Sequence, residues 1–209
     1  MISAVLAVLV LMTLAHTAHA KNVQTAIVAG GCFWCVESDF DSVKGVISTT
    51  SGYTGGTTKN PTYKKISKGG TGHYEAVKIE FDADVISYQT LIDKFWRSVD
   101  VVDAGGQFCD RGEPYRTAVF ATTPQQAITA EASKAAAQKA LGQTIVTPVI
   151  MASTFYIAEE YHLDYYQKSD IVITRRGPMS KAKAYKFYRE GCGRDKRIQQ
   201  LWGKPFHGS

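Results

Sequence analysis

The sequence predicts an α+β fold, a ferredoxin-like two-layer α/β sandwich that ends in a long coil. The first observation is the order of the apolar segments, β-α-β-β-α-β, which is the split pattern of that sandwich. The second is that the 209 residues contain no internal repeat and no linker rich in Pro or Ser, which indicates one domain. The third is a composition typical of globular proteins, so a packed core is expected.

The first half of the chain supplies three strands and one helix. A buried, β-branched strand ends at a Gly-Gly pair, and the apolar residues after it recur at the spacing of an amphipathic helix. A second strand, a long loop rich in Gly, Thr and Lys, and an alternating strand follow. The predicted ranges are strand Thr25–Ala29, helix Cys32–Val43, strand Val46–Gly52, loop Tyr53–Gly72 and strand Tyr74–Phe81.

The second half completes the pattern and then loses periodicity. Thr123 caps a helix that has Pro124 at its first position and Gly142 beyond its end. After Ser169 little periodicity remains, so a coil over the surface is predicted from about residue 169. The other predicted ranges are helix Ser87–Val99, loop Ala104–Pro114, strand Tyr115–Ala121, strand Thr144–Met151 and a short helix Ala158–Gln167.

The first 20 residues have the features of a signal peptide. They contain no Lys, Arg, Asp or Glu, and their apolar run from Ala4 to Leu14 is short for a bilayer span. They end in Ala18-His19-Ala20, with small residues at the two positions that a signal peptidase reads. We expect cleavage after about Ala20, an exported protein, periplasmic or extracellular, with no stable membrane anchor, and one mature domain of residues 21–209. The alternative is an uncleaved anchor helix.

Positive charge is concentrated at the end of the chain. The formal net charge is +5, yet residues 175–209 contain ten Lys or Arg against Glu190 and Asp195, a local balance of 10 − 2 = +8. This segment has no stacking or groove-reading motif, and export argues against nucleic acid as a partner. We therefore expect a solvated segment that helps to dock an acidic partner.

Four cysteines are present, and the local sequence singles out one of them as a nucleophile. Cys32 lies between a strand end and a helix start, where unpaired backbone N–H groups and the helix dipole favour the thiolate. With Cys35 it forms a CxxC motif, which is typical of a redox pair, half a zinc site or two inert buried residues. No second ligand pair with the usual spacing is present, so no metal is expected. Cys109 and Cys192 complete an even count that allows structural disulfides.

Glu75 is the second informative residue. In the strand after the long loop, the period of two places it on one face with Val77, Ile79 and Phe81. A carboxyl group among apolar side chains is desolvated, which raises its pKa and suits it to act as a general acid. The alternative is a solvated residue at the strand end with no role.

Two loop residues are weaker candidates. Asp110 lies in the second glycine-bearing loop, where it either forms ordinary turn contacts or orients a water or a tyrosine near the thiolate. Tyr63 lies in the long loop and either donates its phenol to an oxygen or packs like most tyrosines.

Several segments together resemble the type A peptide methionine sulfoxide reductases. The matching segments, in order, are GGCFWCVE, SGYTGG, NPTY, GHYEAV, FCDRGEPYRTAVF and AEEYH, and they span about Ile27 to Tyr166. The family has a two-layer α/β sandwich with long coil, which agrees with the predicted elements. One departure is Leu163, which stands where relatives often have Gln.

The resemblance implies a role for each matched residue. Cys32 corresponds to the nucleophile, Glu75 to the proton donor and Asp110 to an assisting carboxylate. The residues that correspond to substrate binding are Phe33 and Trp34, which form the S-methyl pocket, and Tyr63 and Tyr115, which hydrogen-bond the sulfoxide oxygen.

The implied reaction is reduction of methionine S-sulfoxide, free or in oxidised proteins, without a bound cofactor. Attack by Cys32 leaves a sulfenic acid, a second thiol converts it to a disulfide, and a thioredoxin-like dithiol protein reduces that disulfide. We expect a monomer. Two other functions stay open: a thioredoxin-like disulfide oxidoreductase, in which Glu75 would have no role, and an exported binding protein with structural disulfides.

The resolving cysteine has three candidates. Cys192 lies between glycines in the predicted coil, and many relatives resolve with a cysteine in that region, so it is the first choice. Cys35 is close behind, because it lies three residues after Cys32 on the same side of the helix. Cys109 is the third candidate, or it pairs with Cys192 as a structural bridge.

Overall fold

The computed structural model describes residues 21–204. Residues 1–20, which carry the predicted signal peptide, lie outside the described residues. Within residues 21–204 no helix has both the length and the apolar character to cross a membrane.

The described chain contains ten strands and six helices. The strands are β1 Val23–Gly30, β2 Val46–Thr54, β3 Tyr74–Asp82, β4 Gly106–Gln107, β5 Asp110–Arg111, β6 Thr117–Ala121, β7 Val149–Met151, β8 Tyr156–Ile157, β9 Ile171–Thr174 and β10 Gly177–Ser180. The helices are α1 Phe33–Asp41, α2 Tyr63–Ile66, α3 Tyr88–Trp96, α4 Pro124–Leu141, α5 Lys181–Gly191 and α6 Arg194–Trp202. Short 3₁₀ turns occupy Glu113–Tyr115 and Tyr165–Gln167.

The main sheet has the strand order β7-β6-β1-β3-β2-β8. Its four central strands are antiparallel neighbours, with α1 between β1 and β2 and α3 between β3 and β6. This is the predicted β-α-β-β-α-β sandwich, and the α+β prediction is confirmed. Strand β7 extends the sheet in parallel beside β6, and β8 extends it at the other edge.

Helices α1, α3 and α4 pack their apolar faces on one side of the sheet. The predicted cap of α4 is present, since the Thr123 hydroxyl accepts the N–H of Gln126 at 3.1 Å and Gly142 ends the helix at φ 70°. The Trp96 indole N–H donates to the Ser133 hydroxyl at 2.8 Å, so the contact between α3 and α4 is hydrogen-bonded as well as apolar. The large, fully buried rings of this core are Phe33, Phe40, Tyr53, Phe81, Phe95 and Trp96, whereas Phe120 is buried in a separate apolar cluster with Tyr74.

The coil predicted from about residue 169 is wrong. The chain forms the hairpin β9–β10 and then helices α5 and α6. Helix α5 begins at Ser180, whose hydroxyl accepts the N–H of Lys183 at 3.3 Å. Few aliphatic residues mark these helices, because the side chains that they bury include Arg189 and Arg194. A pattern search for apolar residues cannot detect a helix that buries arginines.

The helix predicted over Ala158–Gln167 is also absent. Asp164 adopts a left-handed conformation with φ 52°, which interrupts a helix, and only the 3₁₀ turn Tyr165–Gln167 follows. Other element boundaries differ by a few residues. Tyr53 belongs to β2 rather than to the long loop, and Tyr115 belongs to a 3₁₀ turn rather than to a strand.

Candidate active site

Cys32 lies where β1 turns into α1, as predicted. It occupies the N-cap position of α1, and its carbonyl oxygen accepts the N–H of Cys35 at 3.0 Å. The two preceding glycines make this turn possible. A Cβ on Gly30 would lie 2.8 Å from Val36, and Gly31 has φ +79°, which favours glycine. Cys32 is therefore held, partly buried, just beyond the carboxyl end of the central strand β1.

Glu75 reaches the same turn from β3. Its Oε2 accepts the backbone N–H of Phe33, the first amide of α1, at 3.1 Å. The side chain is 2% exposed, and this burial raises the pKa of Glu75 well above its usual range, against a smaller lowering by the Phe33 hydrogen bond. Burial thus favours the protonated form of this carboxyl group, as the apolar strand face predicted.

Tyr63 and Tyr115 lie together beside this carboxyl group. Their hydroxyl oxygens are 3.4 Å apart. Burial first, and then the charge of Glu75, raises the pKa of both phenols, so both stay protonated and able to donate. Glu159 fixes Tyr63 by accepting its backbone N–H at 2.9 Å, and the Tyr53 hydroxyl donates to the same carboxylate at 2.7 Å.

Asp110 joins the site from the β4–β5 hairpin. It lines the same cavity as Cys32, and burial raises its pKa against a lowering by Arg194. The hairpin is anchored by buried Gln107, which accepts the N–H of Asp100 and donates to its carbonyl oxygen, both at 2.8 Å. Asp110 and Cys32 thus line one cavity, and the assisting role of Asp110 stays a prediction.

Trp34 forms one wall of the cavity, which has a volume of about 280 Å³. Its indole stacks on Tyr165 with ring centroids 3.7 Å apart. Phe33, predicted to share the pocket, is instead 1% exposed and packs into the core, with its ring 6.3 Å from that of Trp34. Its contribution to the site is the backbone N–H given to Glu75.

Cys35 lines the same cavity as Cys32, and the two side chains share a hydrogen bond. That bond, followed by burial, raises the pKa of the Cys32 thiol well above its usual range. The same bond lowers the pKa of Cys35, and Arg194 and Arg189 lower it further. Cys32 therefore does not have the lowered pKa that was predicted from its position at the helix start, because the hydrogen bond to Cys35 and burial outweigh that position in this state.

Cys109 and Cys192 form a disulfide with their Cα atoms 5.1 Å apart. Cys192 also lines the cavity that contains Cys32 and Cys35. All four cysteines lie in the described part of the chain, and the free ones are Cys32 and Cys35. Cys192, the first choice for the resolving thiol, is thus bonded to another partner in this form of the protein.

The sequence did not single out several residues of the site. His162 appeared in the sequence analysis only as part of the segment AEEYH. The centre of its buried ring lies 5.0 Å from that of Phe33 and 4.4 Å from that of Tyr63. Burial lowers the pKa of His162 to about 4. Leu163, the departure from the family pattern, packs against the core. Arg189 and Arg194 line the cavity although the sequence placed them in a solvated segment. In residues 21–204 no cluster of three or more His, Cys, Asp or Glu is arranged to hold a metal ion.

Comparisons with known proteins give one consistent family. The family model for peptide methionine sulfoxide reductase matches residues 24–199. The chain is 44% identical over 197 residues to a peptide methionine sulfoxide reductase of Caulobacter vibrioides, covering 94% of both chains. It is 47% identical over 186 residues to one of Rhizobium meliloti, covering 89% of this chain and 87% of that one.

Two solved structures are similar as well. Mxr1 from Saccharomyces cerevisiae in reduced form superposes with a TM-score of 0.66 at 28% identity, covering 69% of this chain and 84% of that chain. Methionine sulfoxide reductase A of Corynebacterium diphtheriae gives 0.61 at 30% identity, covering 68% and 73%.

Proposed function

The chain belongs to the peptide methionine sulfoxide reductase family, and from that premise we propose that Cys32 attacks the sulfoxide sulfur while Glu75 protonates the sulfoxide oxygen. The activity of the family is reduction of methionine sulfoxide to methionine, and this chain is such an oxidoreductase. The observation that carries the assignment of residues is the buried Glu75 carboxyl group, which holds its proton beside the turn that carries Cys32.

The first step breaks the sulfur–oxygen bond of the substrate. A sulfoxide is a poor electrophile until its oxygen is protonated, and a protonated carboxyl group supplies that proton at neutral pH. The Tyr63 and Tyr115 hydroxyls, 3.4 Å apart, are two donors that hold the oxygen beside Glu75. Cys32 gives its proton to the Cys35 thiolate as it attacks, because the two side chains already share a hydrogen bond, and Glu75 is left as a carboxylate.

The second step is the condensation of two sulfurs. After methionine leaves, Cys32 is a sulfenic acid, and we propose that Cys35 is the thiol that resolves it. Cys35 is hydrogen-bonded to Cys32, whereas Cys192 is held in the disulfide with Cys109. Over both steps two thiols and the sulfoxide oxygen give one disulfide and one water.

The third step returns the enzyme to the dithiol state. A disulfide between Cys32 and Cys35 requires two electrons from outside the chain, and a thioredoxin-like dithiol protein supplies them by exchange. The partly exposed Cys32 is the sulfur that such a protein attacks. The proposed substrates are the S-epimer of methionine sulfoxide, free and in oxidised proteins.

We also propose that the enzyme is exported and acts as a monomer. Export is supported by the uncharged residues 1–20 and by the small residues that end them. N-terminal sequencing of the protein purified from its source should begin at about Lys21, whereas a chain that begins at Met1 contradicts export by cleavage.

A monomer is supported by the candidate site, to which one chain contributes each named residue. Sedimentation should give a particle of one chain.

A single-turnover thiol count tests the residue assignment. The protein with its Cys109–Cys192 bridge intact is mixed with one equivalent of methionine sulfoxide. We expect two thiols to disappear for each methionine released, and peptide mapping should find Cys32 bonded to Cys35. Cys32→Ser should release no methionine. Reduction of insulin disulfides without turnover of sulfoxide contradicts the assignment and favours a disulfide exchanger.

A further inference from the structure

Two buried arginines connect the C-terminal helices to the reacting sulfurs. Arg189 lies in the last turn of α5 and Arg194 begins α6, and both line the cavity with Cys35. Their exposed fractions are 8% and 2%. A buried guanidinium costs solvation free energy, so its position demands negative charge or hydrogen-bond acceptors nearby.

Arg194 is held mainly by neutral acceptors. Its guanidinium donates to the carbonyl oxygens of Gly30 at 3.2 Å and Ser98 at 2.8 Å, and it lies 4.8 Å from the centre of the Phe108 ring. Its guanidinium also forms an ion pair with the Asp39 carboxylate, at an N–O distance of 3.6 Å. Hydrogen bonds to carbonyl groups orient the guanidinium without neutralising it. Since Gly30 is two residues before Cys32, Arg194 is also fixed to the turn that carries the nucleophile.

Arg189 already has carboxylate partners. It contacts Asp39 at 2.8 Å and Asp195 at 2.6 Å, and it donates to the Tyr185 hydroxyl at 2.9 Å. Asp39 is therefore shared between two arginines, while the Asp195 side chain is 43% exposed and solvated. Asp110, which lines the same cavity, also interacts with Arg194, so both guanidinium groups lie in one cluster of charges beside Cys35.

We propose that Arg194, with Arg189 behind it, is a positioning residue for the resolving step, where it keeps the Cys35 sulfur as a thiolate aimed at Cys32. The inference rests on the proposed function, because it assumes that Cys35 resolves the sulfenic acid. Other groups face Cys35 as well. These are Cys32, Glu75, Asp39 and Tyr185. A thiolate at Cys35 supplies the negative charge that the two arginines share.

The reaction that follows balances without a further oxidant. The Cys35 thiolate attacks the sulfur of the Cys32 sulfenic acid, a sulfur–sulfur bond forms, and the sulfur–oxygen bond breaks. The leaving hydroxide takes the proton that Cys35 accepted from Cys32 and gives up again as it attacks, and it departs as water. The hydrogen bond from Cys32 and then the charges of Arg194 and Arg189 lower the pKa of Cys35, which agrees with this role.

Rapid-quench single turnovers separate the resolving step from methionine release. In Arg194→Gln we expect the sulfenic acid to accumulate and to be trapped by a dimedone-type reagent. Its conversion to the Cys32–Cys35 disulfide should slow about tenfold at pH 7, the effect of one pKa unit on thiolate population. The pH profile of this step should move to higher pH. Arg194→Lys should restore most of the rate, because it keeps the charge.

Two further variants keep the test decisive if Arg194→Gln fails to fold. Lys196→Gln removes an exposed charge from the same helix and should resolve at the wild-type rate. Asp39→Asn removes the buried negative charge, so its profile should move to lower pH, a direction that a general loss of stability does not produce. Wild-type profiles in both Arg194→Gln and Asp39→Asn overturn the inference, as does an Arg194→Lys variant as slow as Arg194→Gln.

The failure of the proposed function has a different signature. In Cys35→Ser the sulfenic acid should persist and be trapped in full. If a disulfide forms there at the wild-type rate, Cys35 is not the resolving thiol and the arginine inference falls with it. If the sulfenic acid persists in Cys35→Ser while Arg194→Gln resolves at the wild-type rate and pH, the proposed function stands and the inference alone is overturned.

Discussion

At the scale of single residues, the site pairs a carboxyl group that keeps its proton with a thiol that also keeps its proton. Burial raises the pKa of Glu75, and the hydrogen bond to Cys35 raises the pKa of Cys32. Both groups therefore favour their uncharged forms, while the lowered pKa of the neighbouring Cys35 favours its thiolate. In the proposed mechanism, protonation of the substrate and deprotonation of Cys32 occur together, and each favours the other.

Glu75→Gln tests the proton donor. We expect kcat/KM to fall by about 10²–10⁴-fold, the usual contribution of general acid catalysis. Because the acid is active only while protonated, wild-type activity should fall as pH rises through the raised pKa of Glu75, and this decline should vanish in the variant. The pH dependence of kcat/KM measures both effects. Glu80→Gln, on the same strand with a side chain 39% exposed, is the control and should match wild type.

The paired phenols give a second residue-scale prediction. Tyr63→Phe and Tyr115→Phe should each lower kcat/KM by about tenfold, because each removes one donor to the developing charge on oxygen. Tyr166→Phe is a matched control, since that hydroxyl donates to Asp41 at 2.7 Å, away from the named site. Equal activity of all three variants contradicts a role for the phenols in holding the oxygen.

Residue types and spacing predicted much of this site, and geometry explains what they missed. The period of two in β3 was enough to predict that Glu75 is buried with a raised pKa. The helix-dipole argument for Cys32 failed because the hydrogen bond to Cys35 and burial raise the pKa of the thiol, and because the first amide of α1, that of Phe33, donates to Glu75. The acceptor of this amide lies on a strand 42 residues away in sequence. A local sequence pattern cannot predict a contact between residues that far apart.

At the scale of elements, α1 is fixed to its neighbours by a second buried carboxyl group. Glu37, which is 1% exposed, accepts the N–H of Ser51 in β2 at 2.9 Å and the N–H of Asp164 at 3.2 Å. Asp164 precedes Tyr165, which stacks on Trp34. Glu37 thus connects the helix that carries the reacting sulfurs to the segment that forms the cavity wall.

Glu37 should make folding stability depend on pH. Burial raises its pKa to about 7, above the value for an unfolded chain. Protonated Glu37 therefore contributes to the free energy of unfolding, and this contribution is fully present below the pKa that Glu37 has in the unfolded chain. It is lost, by ~3 kcal/mol, as pH rises through about 7. Urea unfolding at pH 5 and pH 8 measures the decrease in the free energy of unfolding. In Glu37→Gln this decrease should be smaller than in wild type by the contribution of Glu37.

The matched control for that measurement is Glu131→Gln, an exposed carboxylate on α4. Its difference in unfolding free energy between the two pH values should equal that of wild type. Glu75 also has a raised pKa, but it is present in all three proteins, so the comparison isolates Glu37. An unchanged pH dependence in Glu37→Gln contradicts the account.

Elements with apolar periodicity were predicted from sequence, and those without it were not. Strands β1 and β3 and helix α3 bury aliphatic and aromatic faces, and each was predicted within a few residues. Helices α5 and α6 were missed because the contacts that position them are ionic, between Arg189, Asp39 and Asp195. The ion pair between Arg189 and Asp39 joins distant parts of the sequence, and neither it nor the short-range pair between Arg189 and Asp195 leaves a periodic pattern.

At the scale of the whole molecule, the active site forms where distant parts of the chain meet. The sheet supplies Cys32 and Glu75 from strand ends, the β4–β5 hairpin supplies Asp110, and the C-terminal helices supply the arginines. The disulfide between Cys109 and Cys192 joins the last two of these parts and spans 83 residues of sequence. This bridge therefore restrains the wall of the cavity next to Cys35.

Removing that bridge should affect stability more than chemistry. In the double variant Cys109→Ser with Cys192→Ser we expect the free energy of unfolding to fall by ~4 kcal/mol, the effect of closing a loop of this length. Methionine release in a single turnover should stay at one equivalent, because Cys32 and Cys35 remain. Recycling by a dithiol protein should also persist, since the reducible disulfide is then Cys32–Cys35.

Two measurements distinguish a structural bridge from the resolving role that the sequence favoured for Cys192. Urea denaturation gives the loss of stability, and steady-state turnover with a thioredoxin-like reductant gives the recycling. If one methionine is released but turnover then stops, Cys192 takes part in electron transfer, and the bridge is a redox product rather than a restraint. A single variant is not sufficient, because Cys192→Ser alone leaves Cys109 as a new free thiol that can capture the sulfenic acid and imitate that result.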